Sequence, residues 1–159
     1  MLEEEPQIVH FSGHGVKVED GKVVSDEHFR FFEIEEEDDD KRKKYSGGIA
    51  LEDAAGKAKI VSGAALGGLF ELFGEHIECV LLNACYSEAQ ADEILKHVPY
   101  VIGMNTAVPD ETAIVFAVGF YDALGAGRDV EFAFKLAKNR IALEGLDGAD
   151  IPVIRKRGE

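Results

Sequence analysis

The side chains with the clearest chemical potential are one thiol and one imidazole, those of Cys85 and His14. A free cysteine taken alone is more often a small buried hydrophobe than a nucleophile. A thiol becomes a nucleophile when a base lies within hydrogen-bond reach, and histidine serves well as that base. The two residues together therefore predict thiol-based acyl transfer, if folding brings them to one cleft.

Each of these residues follows a run that is typical of a buried strand. Gln7–Phe11 is apolar and leads into the loop around His14, and Cys79–Leu82 is apolar on both faces, as in the centre of a parallel sheet. Ligands collect at the carboxyl ends of such strands, so we expect His14 and Cys85 there. The glycines on both sides of His14 permit a tight backbone, and the amide of Gly15 is a candidate donor to an oxyanion.

The rest of the chain alternates between strand-like and helix-like segments, chiefly in its second half. Segments 48–53 and 58–61 predict a β-hairpin, segments 62–73, 87–97, 111–124 and 130–143 predict helices, and segments 100–103 and 151–154 predict strands, the last at an edge. Ser62, Ser87 and Asp110 are the predicted helix N-caps. This alternation indicates a layered α/β fold around a mostly parallel sheet.

The composition is typical of a folded globular chain, with 159 residues, of which 46% are hydrophobic and 30% charged. We expect a single domain, residues 1–159, with a flexible charged loop at 35–47, where an acidic run is followed by Lys41–Lys44. The net charge of −14 argues against a nucleic-acid partner and against an acidic membrane surface. The longest apolar run, Ala113–Tyr121, is far shorter than the roughly 20 residues that cross a bilayer.

Cysteine usage and the first residues predict a cytoplasmic protein. On an extended strand, Cys79 and Cys85 would be roughly 20 Å apart, beyond the reach of a disulfide, so we expect two free thiols. The first residues lack the positive region and the apolar stretch of a secretory signal. His10 and His14 by themselves would make a poor zinc site, and we expect neither a metal nor a cofactor.

Three ordered motifs resemble those of the CHAT domain, a branch of the caspase-like cysteine peptidases that includes relatives of separase. They are HFSGHG at 10–15, LNACYS at 82–87 and GFYDALGAGR at 119–128, and the resemblance extends from about Leu2 to Ile154. It implies a three-layer α/β/α caspase-like fold, with a β-hairpin inserted after the strand that carries the histidine. It also implies a cysteine endopeptidase with a dyad of His14 and Cys85, a thioester acyl-enzyme, and a role as a regulated bacterial effector.

The resemblance points to further residues that would contact a substrate. The amides of Cys85 and Gly15 would stabilise the oxyanion. Asp110 matches an acid that family members carry before a helix, although the tryptophan that accompanies it is absent here and a helix N-cap is the more ordinary role. Asn83 stands where some relatives hold an acid, which argues against a strongly basic S1 preference, and Asn105 lies in the same loop as Asp110. We therefore predict Asn83, Asn105 and Asp110 as substrate-binding residues.

Compared with the family, the chain looks short at its N-terminus, because relatives have a further strand and helix where only six residues precede Gln7. The strand Ile8–Phe11 would then present an open apolar edge. We expect a homo-oligomer or a complementing chain at that edge, and a protein or peptide as substrate. The alternative function is a non-catalytic interaction or scaffold module, in which the missing strand leaves the dyad misaligned.

Overall fold

Eight strands and four α-helices form the part of the chain that the computed structural model describes, residues 7–19, 22–24, 47–52, 54–56 and 58–159. The strands are β1 Ile8–Ser12, β2 Gly15–Glu19, β3 Lys22–Val24, β4 Gly47–Glu52, β5 Ala58–Ile60, β6 Cys79–Asn83, β7 Tyr100–Met104 and β8 Pro152–Lys156. The helices are α1 Gly63–Phe73, α2 Ala91–Leu95, α3 Asp110–Gly125 and α4 Val130–Leu143. Two short 3-10 helices, Gly74–His76 and Ser87–Gln90, complete the set.

The main sheet has the strand order β1-β6-β7-β8. Strands β1, β6 and β7 are parallel, and β8 runs antiparallel to β7 at the edge. Every residue of β6 is buried, as its unbroken apolar run predicts for a strand with neighbours on both sides and helices on both faces. The prediction of a mostly parallel sheet is confirmed.

Side chains alternate along β6 and divide the core into two halves. Cys79 and Leu81 pack on one face with α3 and α4, whereas Val80 and Leu82 pack on the other face with α1 and α2. The ring pair Phe116 and Phe120 fills the first half, with both side chains fully buried. Helices therefore cover both faces of the sheet, which confirms the three-layer α/β/α architecture.

Of the three predicted N-caps, the one at Ser62 is confirmed, and those at Asp110 and Ser87 are wrong. The hydroxyl of Ser62 accepts the N–H of Ala65 at 3.1 Å, so α1 begins where its N-cap places it. For α3, however, the prediction that Asp110 is the N-cap is wrong. Pro109 occupies the cap position, and Asp110 is the first helical residue, where a carboxylate still favours the positive end of the helix dipole.

The prediction of a helix over 87–97 with Ser87 as its cap is also wrong in detail. The segment divides into the 3-10 helix Ser87–Gln90 and the short helix α2, and Tyr86 precedes it in the left-handed region, with φ of 58°. The hydroxyl of Ser87 does not cap a helix, because it hydrogen-bonds to the backbone of β6 and of β7.

A second, antiparallel sheet with the order β3-β2-β4-β5 follows β1 in the chain. Strands β4 and β5 pair antiparallel, with Leu51 opposite Lys59. Strands β2 and β3 were not predicted. The charged loop predicted at 35–47 lies outside the described residues, except for Gly47, which begins β4.

No helix among the described residues is long and apolar enough to pass through a bilayer.

Within the described residues, β1 pairs with β6 and has no second partner strand. The carbonyl of Gln7 accepts the N–H of Cys79 at 3.2 Å. Because alternate residues of a parallel strand bond to the same neighbour, the peptide groups of Ile8, His10 and Ser12 face the other edge. This edge offers hydrogen-bonding groups to a further strand.

We expect the chain to use this edge for strand pairing, with another copy or with a separate polypeptide. Light scattering across a range of concentrations should show association, and His10→Pro should weaken it, because proline removes an N–H that faces outward and spares the bonds to β6. A wild-type chain that is a single monomeric species and fully active without additions would contradict this expectation.

Candidate active site

The pairing of β1 with β6 brings the two predicted catalytic residues to one end of the sheet. Ser12 lies opposite Asn83 in the parallel register, and His14 and Cys85 each follow two residues later. Adjacent strands are about 4.8 Å apart, so the two chain segments leave the sheet side by side. The N–H of Gly13 continues the contact by donating to the carbonyl of Asn83 at 3.4 Å.

Gly15 permits the closest contact between these two segments. A Cβ atom built on Gly15 would lie 1.6 Å from the carbonyl oxygen of Cys85, which no side chain tolerates. The backbone that follows His14 therefore lies directly against the peptide group of Cys85. Glycine is required here because of this approach and not because of an unusual φ angle.

Strand β4 fixes the backbone of His14 from the other side. The N–H of Ala50 donates to the carbonyl of His14 at 3.1 Å. Gly15 lies opposite Ile49 in the antiparallel register, and the bond joins their neighbours, His14 and Ala50. Gly15 and Ile49 are therefore a non-hydrogen-bonded pair, and the amide of Gly15 is directed away from β4. Its role as an oxyanion donor remains a prediction that this orientation permits.

Cys85 is partly exposed at the point where β6 ends. Its Sγ accepts the N–H of Val108 at 3.4 Å and lies 3.9 Å from the carbonyl oxygen of the same residue. The next residue, Tyr86, has a left-handed backbone and donates its N–H to the carbonyl of Thr106 at 3.2 Å. The thiol thus sits on a tight turn that is bonded to the loop after β7, and backbone strain of this kind is concentrated at functional sites.

Two buried polar side chains behind Cys85 hold this turn in place, and sequence reasoning missed the role of both. The hydroxyl of Ser87 donates to the carbonyl of Leu82 at 2.7 Å and accepts the N–H of Met104 at 3.0 Å, which joins β6 to β7. Gln90 is 1% exposed and bonds with both ends of its amide. Their only sequence signal is that they are polar residues in the turn after the thiol.

The three predicted substrate-binding residues occupy different environments. Asn83 is buried at the end of β6, where its Nδ2 donates to the carbonyl of Ala113 at 3.0 Å, while its Oδ1 has no hydrogen-bond partner among the described residues. Asn105 is exposed, and its Nδ2 donates to the carbonyl of Asp150 at 3.4 Å. Asp110 is exposed at the first turn of α3. Of these three residues, Asn83 is the nearest in sequence to the tight turn that carries Cys85.

Cys79 and His10, on the strands that lead to the candidate catalytic residues, have surroundings that favour their neutral forms. Burial, with a smaller contribution from Glu78, raises the pKa of Cys79 to about 12. Partial burial lowers the pKa of His10, whose ring lies 5.6 Å from that of Tyr121. Among the residues that the structure describes, no three His, Cys, Asp or Glu side chains are grouped as a metal site would need.

Two comparisons with known proteins bear on this site. The family model of the CHAT domain matches residues 1–147 of the chain. A curated protein named Roc-COR-CHAT protease, from an unknown prokaryotic organism, is 28% identical over 102 residues. That alignment covers 60% of this chain and 10% of the relative, so the chain spans about a tenth of the length of the curated relative that it matches.

Proposed function

The chain belongs to the CHAT domain family of caspase-like peptidases, and from that premise we propose that it is a cysteine endopeptidase that cleaves proteins or peptides with His14 and Cys85. The observation that carries this proposal is the register of β1 and β6, in which Ser12 faces Asn83. His14 and Cys85 each follow one residue of this matched pair by two positions, so the segments that carry them extend beyond the sheet at the same level.

In the proposed reaction, His14 removes the proton of Cys85, and the sulfur attacks the carbonyl carbon of the scissile peptide bond. The tetrahedral intermediate collapses as the C–N bond breaks, and the imidazolium returns its proton to the leaving amine. Water, deprotonated by the same imidazole, then attacks the thioester carbon, the C–S bond breaks, and the imidazolium returns the proton to the sulfur. The products are a carboxylic acid, an amine and the regenerated thiol.

Two backbone amides are proposed to bind the negative oxygen of the tetrahedral intermediate, those of Cys85 and Gly15. The close approach of the two segments supports this assignment, because the Gly15 backbone already contacts the Cys85 peptide group. Donors of this kind contribute about 3 kcal/mol each to transition-state stabilisation in other acyl-transfer enzymes.

Substrate selection is proposed to involve Asn83, Asn105 and Asp110. Asn83 is closest in sequence to the thiol, and its side-chain Oδ1 has no partner in the described part of the chain, which suits an uncharged hydrogen-bond donor better than a cation. Asp110 is the residue of the three that would favour a basic side chain before the cut, and it is exposed.

We further propose that the chain acts in the bacterial cytoplasm as a regulated effector. The name of the prokaryotic relative, which describes it as a protease, supports this setting. The free thiols support a reducing compartment, because Cys79 and Cys85 are both unpaired in the described structure.

Labelling of the thiols tests the proposal without knowledge of the substrate. Iodoacetamide at pH 7 should modify Cys85 and leave Cys79 intact, as read by peptide mass spectrometry, because the buried thiol with a pKa of about 12 has almost no thiolate below about pH 10. His14→Ala should slow the labelling of Cys85 about tenfold, because the group proposed to take the proton of the thiol is then absent.

A different outcome would favour the non-catalytic scaffold or interaction module. If both thiols react at similar slow rates, and if His14→Ala leaves the rate at Cys85 unchanged, the two candidate catalytic residues do not act together.

A further inference from the structure

The side chain of Gln90 bridges two parts of the fold that carry the candidate catalytic residues. Gln90 lies five residues after Cys85, at the end of the 3-10 helix, and is 1% exposed. Its Oε1 accepts the N–H of Ile49 at 3.0 Å, and its Nε2 donates to the carbonyl of Val61. Ile49 belongs to β4 of the second sheet and Val61 directly follows β5, whereas Gln90 itself follows a strand of the main sheet.

Strand β4 links this amide to the histidine. Ile49 donates its N–H to Gln90, and the next residue, Ala50, donates its N–H to the carbonyl of His14 at 3.1 Å. Two consecutive peptide groups of one strand therefore bond to the turn after Cys85 and to the backbone of His14. A displacement of β4 relative to Gln90 would move the histidine relative to the thiol.

The bridge is closed on its other side. Val61 accepts from Gln90 and donates its own N–H to the carbonyl of Ile49 at 2.9 Å, so the amide bonds at two points to a pair of mutually bonded residues. An apolar side chain of the same size would leave a buried N–H and a carbonyl without partners at this point. The two hydrogen bonds of Gln90 therefore set both the distance and the orientation of β4 relative to the turn after Cys85.

We propose that Gln90 is a positioning residue, which places His14 against Cys85 by fixing β4. This inference rests on the proposed function and adds to it a residue that does not touch the substrate. The predicted consequence is coupling: the effect of removing Gln90 depends on whether His14 is present.

A double-mutant cycle on the labelling of Cys85 by iodoacetamide at pH 7 measures this coupling. Gln90→Met preserves the size of the side chain and removes both hydrogen bonds, and we expect it to slow the labelling almost as much as His14→Ala, about tenfold. In the His14→Ala background, Gln90→Met should cause no further loss. Gln90→Glu should keep the rate within about threefold of wild type, because burial and the facing carbonyl of Val61 favour the protonated carboxyl, which offers the same acceptor and donor.

Ile141→Val is the control for general destabilisation, because Ile141 is buried in α4 on the opposite side of the sheet. It should lower the melting temperature and leave the labelling rate unchanged. If the methionine variant does not fold, Gln90→Asn replaces it, since an amide one methylene shorter cannot reach Ile49 and Val61 together.

Equal loss from Gln90→Met in both backgrounds would overturn the inference while leaving the proposed function intact. An unchanged rate in His14→Ala would instead contradict the proposed function, and the inference with it.

Discussion

Replacing Cys85 with alanine is expected to abolish peptide hydrolysis, with a rate loss of roughly 10⁴-fold or more, because the proposed acyl-enzyme forms on its sulfur. His14→Ala should lower the rate about 10³-fold, since both the thiol and the leaving amine lose their proton carrier. The measurement is cleavage of a proteome-derived peptide library, read by mass spectrometry.

Cys79→Ala is the matched control for this result. Cys79 is on the same strand and is fully buried in the core formed with α3 and α4, so its loss affects packing and not the site. We expect a small decrease in stability and an unchanged cleavage rate. If Cys85→Ala cleaves at the wild-type rate, the activity belongs to another group. If both cysteine variants lose the same amount of activity, the loss arises from impaired folding.

Gly15→Ala is expected to have the second-largest effect on activity. The added Cβ would lie 1.6 Å from the carbonyl oxygen of Cys85, and this neighbour is backbone that no rotamer change can move. The segment after His14 must shift away from Cys85, which should lower the cleavage rate at least about 10²-fold, because displacements of about 1 Å have effects of this size. The shift should also lower the free energy of unfolding by about 1–3 kcal/mol.

Gly68→Ala is the control for a glycine replacement as such. Gly68 is exposed in α1, and an added Cβ meets no atom within 4 Å. Alanine there should raise the free energy of unfolding by about 0.5–1 kcal/mol without changing activity. Thermal unfolding and the peptide assay measure both variants. Wild-type activity in Gly15→Ala would show that the close approach at Cys85 has no part in catalysis.

Much of the fold could be predicted because the relevant forces act within single segments. The apolar run after Glu78 identifies β6, since four consecutive apolar residues can be buried only between covered faces. The cap at Ser62 and the amphipathic pattern of 130–143 set the start of α1 and the limits of α4, because capping bonds and helical periodicity span only a few residues.

Other predictions from the sequence were wrong or absent where local and tertiary preferences compete. Strand β2 alternates valine with charged residues, a pattern of a half-buried strand, but its five residues lie beside a long charged segment, and so short a pattern does not distinguish a strand from a solvated loop. Ser87 has the type of an N-cap, yet its hydroxyl gains more by bonding to the buried peptide groups of Leu82 and Met104. Asp110 is displaced from the cap because proline before it already has the required backbone.

The sequence by itself determined which residues are proposed to carry the chemistry, because a thiol and an imidazole after two strand-like runs are visible without any structure. Only the tertiary structure decided that the two runs are neighbours in matched register, that Gly15 touches the peptide of Cys85, and that Gln90 bonds to β4. These contacts join residues far apart in the chain, and their geometry depends on how whole sheets pack. No pattern within a single segment encodes it.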